Sequence, residues 1–387
     1  MNDSSQASHN SLSTEQKMKL ITRNLEETLT EEELKALIES GTPLKHYIGF
    51  EISGKVHLGQ GLLVMQFIKQ FQEAGMETTV FLADWHTWLN KKLDGTLETA
   101  RRLGRDYFEQ ALRAAALCVG ADPDKIKFVL GSELYEQNGQ EYWATVVRVS
   151  KATTLARMLR STTIMGRKEA DISDAAMLIY PAMQAADIFI MDLDIIHAGT
   201  DQRNVQVIAR DVAKDLGKKK PVALHHHLLL GIGKQDPEAT EKLKNNPGMS
   251  AEERMALMET LKMSKSKPET AVFIDEEPEV IRQKVANAFC PEGEVKLNPI
   301  LDWCKYLVFF EQGSLTITRP EKYGGNVTYT SYEDLENDFA DKKLHPQDLK
   351  MAVADWLIEK LKPARDYFED PKRKEALEEI EKLTSNK

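Results

Sequence analysis

The chain has few cysteines, no long apolar run and no excess of positive charge. Its 387 residues include three cysteines, at positions 118, 290 and 304, and none of them belongs to a CxxC pair. We therefore expect neither a disulfide framework nor a cysteine-rich zinc site, and we expect the protein to be cytoplasmic. The formal net charge of -10 argues against a protein that coats nucleic acid through bulk charge. A local basic patch remains compatible with a nucleic-acid partner.

The sequence also lacks a membrane segment and a secretory signal. The apolar stretch IFIMDLDII is interrupted by Asp192 and Asp194, so no transmembrane helix is predicted. The first residues, MNDSSQASHNSLST, contain no apolar core, and we predict that residues 1–14 form a disordered tail.

Strand-like and helical patterns alternate from residue 15 to about residue 230. Residues 15–39 have a helical pattern, and TTVFLA (78–83) and IKFVL (126–130) are apolar enough for strands covered on both faces. Pro181 is expected to kink a helix over 174–189. Strands separated by helices predict an α/β fold, a doubly wound, Rossmann-like parallel sheet with ligands at the carboxyl ends of its strands.

The pattern changes near residue 278. Helical spacing predominates from there to residue 387, interrupted by the β-prone stretch SLTITRPEKYGGNVTYTS. We therefore predict a Rossmann-like catalytic domain over residues 15–277 and a mostly α-helical C-terminal domain over residues 278–387.

The stretch HLGQ places a histidine where a glycine-rich turn leads into a helix. Free backbone N–H groups and the helix dipole favour a phosphate there, and Gly59 would let that phosphate approach the backbone. His57 could then donate to phosphate oxygens. The alternative is a turn histidine satisfied by the backbone.

The stretch LKMSKSKPET, residues 261–270, alternates lysines with small polar residues. Such a cationic loop is suited to closing over a triphosphate, although a solvated loop would have the same composition.

Together, the histidine turn and KMSKS resemble the signatures of class I aminoacyl-tRNA synthetases. Further stretches, in family order from Tyr47 to Lys350, are similar to the archaeal and eukaryotic tyrosyl-tRNA synthetase family: YIGFEISGKVHLG, FLADWHTWLN, YPAMQAADI, AGTDQRN, AFCPEG, RPEKYGG and LHPQDLK. Two features depart from that family. Gln60 replaces the second histidine of the signature, and residues 233–261 look like an insertion.

The resemblance implies that the protein activates tyrosine with ATP and Mg²⁺ and transfers it to the terminal adenosine of tRNA(Tyr). It implies that His57, Lys262 and Lys265 stabilise the charge of the transition state. The same resemblance implies an ATP-binding set, with His225 near the nucleotide base: His57, Gly59, Lys262, Met263, Ser264, Lys265, Ser266 and His225.

The resemblance also assigns the other substrates. Residues implied to bind tyrosine are Tyr47, Glu51, Tyr180, Gln184, Asp187 and Gln202. Residues implied to bind tRNA are Tyr323 and Asp348 at the anticodon, in an anticodon-binding C-terminal domain, and Arg160 and Arg203 at the acceptor stem. A homodimer is implied, with its interface around residues 142–179. We expect no membrane or DNA partner and no protein-bound structural metal, since HHH at 225–227 has no further ligand at metal spacing.

Three alternatives remain open. A tryptophanyl-tRNA synthetase would share the architecture but should lack the pair Tyr47 and Asp187. A non-catalytic tRNA-binding relative is disfavoured by the presence of both signature loops. A nucleotidylyltransferase would not account for the anticodon-like residues.

Overall fold

A six-stranded sheet organises the first two thirds of the chain. The computed structural model describes residues 12–166, 172–234, 236–246, 248–265 and 267–385. The strands of this sheet are β1 (Leu25–Leu29), β2 (Lys45–Phe50), β3 (Glu77–Leu82), β4 (Ile126–Leu130), β5 (Ile195–Gly199) and β6 (Val222–His226). Their order is β1-β6-β5-β2-β3-β4, and the five strands β2 to β6 run parallel to one another. The chain order reverses between β2 and β5, which is where α/β sheets bind ligands.

The edge strand β1 corrects the helical prediction for residues 15–39. Its sequence LEETL is polar, but it pairs antiparallel with β6, and Glu27 lies opposite His225. The sheet is therefore mixed rather than wholly parallel. The expected helix start at Thr30 is confirmed, because its side chain accepts from the Glu33 backbone N–H in a capping box.

Helices connect the strands and build the C-terminal third. In the first half of the chain they are α1 (Thr14–Thr22), α2 (Glu31–Glu39), α3 (Val64–Glu73), α4 (Asp84–Leu89), α5 (Leu97–Leu103), α6 (Gln110–Val119), α7 (Gly131–Ala152), α8 (Leu155–Ser161) and α9 (Tyr180–Ile190). They continue with α10 (Arg203–Val212), α11 (Pro237–Asn245), α12 (Ala251–Leu261), α13 (Pro278–Ala286), α14 (Pro299–Trp303), α15 (Phe309–Glu311), α16 (Tyr332–Ala340), α17 (Pro346–Lys360), α18 (Lys362–Tyr367) and α19 (Pro371–Ser385).

One further sequence prediction needs correction. Pro181 lies in the first turn of α9, where its missing N–H costs nothing, so it begins a helix instead of kinking one. The β-prone C-terminal stretch forms two strands only, β7 (Leu315–Ile317) and β8 (Val327–Tyr329), which pair as an antiparallel hairpin. The predicted tail falls mainly on residues 1–11, which lie outside the described residues, and Ser13 already caps α1.

Both faces of the sheet are covered by buried apolar side chains. One cluster contains Phe67 of α3 and extends to Trp303 and Leu349 of the C-terminal third. A second cluster contains Ala182 of α9 and Ile208 of α10. The C-terminal third thus shares a core with one face of the sheet. The division at residues 277 and 278 stays a prediction. Across the described ranges, no helix combines the length and apolarity that crossing a membrane requires.

Candidate active site

A cavity of about 1530 Å³ opens at the carboxyl ends of the parallel strands. The residues that line it follow those strands along the chain: Glu51 follows β2, Ala83 follows β3, Asp201 follows β5 and His227 follows β6. The parallel arrangement brings these ends to one edge of the sheet. The cavity exceeds the usual size of a pocket for one small ligand, so it has room for two substrates.

The histidine turn lies between β2 and α3 and lines the cavity. The Gly59 backbone N–H donates to Nδ1 of His57 at 3.1 Å. Nδ1 is therefore the acceptor, and the proton of the neutral ring lies on Nε2. Burial, reinforced by the ammonium groups of Lys265 and Lys262, holds the pKa of His57 well below its usual range. A neutral ring with an N–H at Nε2 is a hydrogen-bond donor at physiological pH.

Gly59 packs closely against the histidine ring itself. A Cβ at this position would lie 3.2 Å from Cε1 and from Nδ1 of His57. A side chain would push the ring away from the N–H that orients it. The close packing is a second reason for a glycine at position 59, in addition to the approach of a phosphate to the backbone that the sequence predicts.

The loop that contains the KMSKS motif, called the lysine loop below, lines the same cavity. Met263 is buried and donates its backbone N–H to the Leu229 carbonyl at 2.7 Å, which ties the loop to the segment after β6. Nζ of Lys262 lies 2.8 Å from Oδ2 of Asp201 and 3.4 Å from Oε1 of Glu259. Ser264 also lines the cavity. The predicted site residue Ser266 lies outside the described residues.

Lys265 reaches from this loop toward the histidine turn. Its Nζ lies 3.3 Å from Oγ of Ser53 and 4.8 Å from the centre of the Phe108 ring. Burial lowers the pKa of Lys265 to about 7, although the carboxylate of Glu51 acts in the opposite direction. A lysine with a pKa near neutral pH is only partly protonated, and the binding of an anion favours its charged form.

A second part of the cavity is built around a buried carboxylate. Asp187 is fully buried, and its Oδ1 accepts from the Tyr142 hydroxyl at 3.0 Å. Its Oδ2 has no hydrogen-bond partner within the described part of the chain, and the Nε2 atom of the buried His86 lies 3.7 Å from it. Burial is the largest cause that raises the pKa of Asp187 well above its usual range. Tyr47 lines the cavity with Asp187, and burial followed by the Asp187 charge raises the pKa of the Tyr47 hydroxyl.

Polar side chains beside Asp187 form a connected network. Oε1 of Glu51 accepts from the Tyr180 hydroxyl at 2.8 Å and from Nδ2 of Asn90 at 2.8 Å. Nε2 of Gln184 donates to Oε1 of Gln202 at 3.3 Å. Tyr180 and Gln184 are one turn apart on α9, as their spacing indicates. The structure thus brings the six residues predicted to bind tyrosine to one cavity.

His225 does not line the cavity, contrary to the expectation that it lies near the nucleotide base. It is fully buried, and its Nδ1 lies 2.8 Å from Oε2 of Glu27 on β1. The neighbouring residues His226 and His227 line the cavity instead. The sequence does not distinguish these three histidines, because the pairing with β1 decides which of them faces inward.

The residues predicted to contact tRNA lie elsewhere. The Tyr323 ring is 61% exposed, and Asp348 lies in the first turn of α17. Arg160 is exposed at the end of α8. Arg203 is less available, since its Nε lies 2.8 Å from Oε2 of Glu27.

Sequence reasoning missed several residues that shape the cavity. Asn90 orients Glu51, Asp201 pairs with Lys262, and Glu381 lies near the C-terminus of the chain. Asp201 stands in AGTDQRN just after β5, and Asn90 stands in FLADWHTWLN just after α4, so both lie in stretches that the sequence already marks. Glu381 carried no such signal.

Within the described ranges, no group of three or more His, Cys, Asp or Glu side chains is placed to hold a metal ion. The six carboxylates that line the cavity each contact a polar or cationic side chain of this chain: Glu51, Asp187, Asp201, Glu259, Glu276 and Glu381. These residues do not form a preformed magnesium site.

The fold and the two signature loops define a nucleotide-activating enzyme of the class I type. The sequence profile of the tRNA synthetases class I (W and Y) matches residues 39–362. The chain belongs to this family.

Within the family, the chain is similar to tyrosine–tRNA ligases. It is 52% identical to that of Thermococcus kodakarensis over 378 residues, 95% of this chain and 98% of that protein. The crystal structure of the Pyrococcus horikoshii tyrosyl-tRNA synthetase complexed with L-tyrosine has a TM-score of 0.88 and 48% identity, covering 96% of this chain and 100% of that chain. The tryptophanyl-tRNA synthetase of Aeropyrum pernix shares the fold with a TM-score of 0.62 and 19% identity, covering 91% of this chain and 84% of that chain.

Proposed function

We propose that the protein is a tyrosine–tRNA ligase. Tyrosine and ATP give tyrosyl-adenylate and pyrophosphate, and the tyrosyl group then passes to the 3′-terminal adenosine of tRNA(Tyr) with release of AMP. The single observation that carries the choice of amino acid is the buried Oδ2 of Asp187 in the cavity that Tyr47 also lines, since this oxygen accepts no hydrogen bond from the described residues and Nε2 of His86 lies 3.7 Å from it.

This pair matches a phenol better than an indole. A phenolic hydroxyl both donates and accepts, so it can donate to Asp187 while it accepts from Tyr47. An indole N–H only donates, and the phenylalanine ring offers neither group. Either ring would leave a buried polar atom unpaired, which costs roughly 1–3 kcal/mol. Tyrosyl-tRNA synthetases are themselves the established example of such discrimination against phenylalanine. In this chain the buried Oδ2 of Asp187 would favour tyrosine over phenylalanine.

The remaining polar groups fit the amino-acid end of the substrate. We propose that Glu51 and Tyr180 face the ammonium group and that Gln184 and Gln202 orient the carboxylate. The hydrogen bonds among these side chains support the assignment, because they hold the groups in place before the substrate binds.

The histidine turn and the lysine loop would act on ATP. The tyrosine carboxylate oxygen attacks the α-phosphorus, the bond to the bridging oxygen breaks, and pyrophosphate leaves. We propose that Nε2–H of His57 donates to phosphate oxygens as negative charge develops. Lys262 would exchange Asp201 for phosphate, and Lys265 would gain a full charge there. Gly59, Met263, Ser264 and Ser266 complete the proposed ATP set.

Mg²⁺ is expected to arrive with the triphosphate, which supplies the oxygen ligands that it prefers. The paired state of the cavity carboxylates supports this view. The bound Mg²⁺ would neutralise part of the phosphate charge.

We propose that the C-terminal domain reads the anticodon. The exposed Tyr323 ring would stack on an unpaired base, and the Asp348 carboxylate would accept from guanine N–H donors. Arg160 is the better candidate for the acceptor stem, since Arg203 would first have to leave Glu27. We expect a cytoplasmic enzyme, where tRNA and ATP are found, in keeping with its unpaired cysteines.

We further propose a homodimer that uses the surface around residues 142–179. Exposed apolar side chains support it: Trp143, Val147, Leu155 and Ile179. Val147 is 58% exposed and Leu155 is 67% exposed, which is unusual for apolar side chains close together in sequence. Sedimentation of the unaltered protein and of Val147→Glu tests this proposal. A monomer in both cases would contradict it.

The test of the activity is ATP–pyrophosphate exchange with each of the twenty amino acids. We expect exchange that depends on tyrosine and does not respond to tryptophan. Exchange driven by tryptophan would favour the tryptophanyl enzyme. Binding of tRNA without any exchange would favour a non-catalytic relative.

A further inference from the structure

The last helix, α19, reaches the cavity although it lies beyond the residues that the family profile matches. The family profile ends at residue 362, and α19 covers Pro371–Ser385. Glu381, Leu383 and Thr384 nevertheless line the cavity that contains His57 and Lys265. This helix therefore forms part of the wall of the proposed ATP site.

The helix is firmly docked on the catalytic half of the chain. Ile380 is fully buried and Ala376 is 6% exposed within the main core cluster. The Arg102 guanidinium contacts Glu379 through two parallel N–H···O bonds of 2.6 and 2.5 Å. This pair is 45% and 37% exposed, so the buried apolar side chains, rather than the ion pair, hold the helix in place.

At the cavity, the helix holds a lysine of the histidine turn. Nζ of Lys55 lies 2.5 Å from Oδ2 of Asp275 and 2.6 Å from Oε1 of Glu381. It also lies 5.2 Å from the centre of the Phe273 ring. The Lys55 side chain is only 14% exposed, so these partners define where its charge lies. Lys55 is two residues before His57 and lines the same cavity.

A second contact involves the backbone of the same turn. A Cβ at Gly54 would lie 3.3 Å from Cγ2 of Thr384 and 3.4 Å from Cδ of Lys265. Gly54 has a φ of +143°, which disfavours any other residue. The end of α19 and the lysine loop thus pack against one glycine of the histidine turn.

We propose that α19 is a structural wall of the nucleotide half of the active site and that Glu381 is a positioning residue, acting on ATP through Lys55. The proposal rests on the ligase activity proposed above. Two anchors hold the Lys55 ammonium at one place, and its remaining N–H would donate to a phosphate. The hydrogen bonds described above for the tyrosine half involve no residue of α19. We therefore expect Glu381 to affect the binding of ATP and not the binding of tyrosine.

The opposite role is also testable. Glu381 could compete with phosphate for Lys55, and its removal would then tighten ATP binding. The two roles differ in the sign of the change in the KM for ATP.

The experiment compares Glu381→Gln with Glu379→Gln in tyrosine-dependent ATP–pyrophosphate exchange, using the full chain. Each variant removes one carboxylate and one ion pair from the same helix, but only Glu381 of this pair lines the cavity. We expect Glu381→Gln to raise the KM for ATP about three- to tenfold and to leave the KM for tyrosine unchanged. Glu379→Gln should change both values by less than about twofold.

A double-variant cycle tests the route through Lys55. In a Lys55→Gln background, Glu381→Gln should change the KM for ATP by less than about twofold, because the group through which it acts is gone. An unchanged KM for ATP in Glu381→Gln, a decrease, or an equal effect of Glu379→Gln would overturn the proposal. Absence of exchange in the unaltered protein would instead overturn the ligase activity and, with it, this inference.

Discussion

The two halves of the cavity differ in their charged groups. The tyrosine half is the part around Asp187, and the nucleotide half is the part lined by the histidine turn and the lysine loop. The tyrosine half contains buried titratable groups: burial raises the pKa of Asp187 and lowers the pKa of the adjacent His86 to about 3. The nucleotide half is built from paired charges, such as Lys262 with Asp201 and Lys55 with Glu381. Under the proposed roles, one half would discriminate by leaving a buried group unpaired, whereas the other would meet the charge of a triphosphate with its lysines.

This difference implies that the halves respond to different changes. Removal of a hydrogen-bonding group from the tyrosine half should alter specificity, because the penalty depends on which ring is bound. Removal of a charge from the nucleotide half should alter the rate, because the charge matters most when it develops on phosphate. Substitutions in one half should therefore leave the function of the other half intact.

The largest effect is expected from Lys265→Met, which keeps the length and apolar stem of the side chain. Loss of the charge should slow adenylate formation about 10²- to 10³-fold, since one donor to the developing charge is removed. The dissociation constant for tyrosine should stay unchanged. Single-turnover adenylate formation and tyrosine calorimetry measure the two quantities. Equal losses in the rate of adenylate formation and in the affinity for tyrosine would contradict the expectation that the two halves act independently.

The next effect is expected from Asp187→Ala. Preference for tyrosine over phenylalanine should fall about 10- to 100-fold, because the group that an unsuitable ring leaves unpaired is gone. The KM for ATP should not change. Exchange kinetics with each amino acid measure the preference, and an unaltered ratio would place Asp187 outside the pocket.

A smaller effect is expected from Asp348→Ala, which leaves both halves of the cavity intact. Aminoacylation of tRNA(Tyr) should weaken about 5- to 50-fold through loss of one base contact, with normal pyrophosphate exchange. Asp355→Ala is the matched control, because Asp355 lies on the same helix and pairs with Arg282 at 2.7 Å. If exchange fell together with aminoacylation, the anticodon role would be wrong.

The smallest effect concerns pH. Lys265 has a pKa of about 7 in the free protein, and a bound triphosphate should raise it toward its ordinary value. A group whose pKa rises on binding takes up a proton, so binding weakens as pH rises through its free pKa. The KM for ATP should increase about fivefold between pH 7 and pH 8.

The control for this pH dependence is Lys265→Met, in which the increase should disappear. Calorimetry of ATP binding in buffers of different ionisation enthalpy should also show proton uptake near pH 8. A KM that is flat over this range in the unaltered protein would contradict a depressed pKa.

Much of the site could be predicted because its parts have local signals. His57 and Gly59 stand in a turn whose glycine and helical continuation are visible within a few residues, and the lysine loop is marked by its composition. The expectation for Tyr180 and Gln184 came from helical spacing plus family resemblance. The error at His225 has a different origin, since the residue faces Glu27 only because β1 pairs with β6.

The sequence alone determined the alternation of strands and helices, the position of the histidine turn and the identity of the lysine loop, because these depend on interactions between near neighbours in the chain. Only the tertiary structure decided that LEETL is an edge strand, that Oδ2 of Asp187 is buried without a hydrogen bond from the described residues, and that α19 brings Glu381 to Lys55. Burial and ion pairing between distant segments depend on everything that surrounds a group. A local pattern does not contain that information.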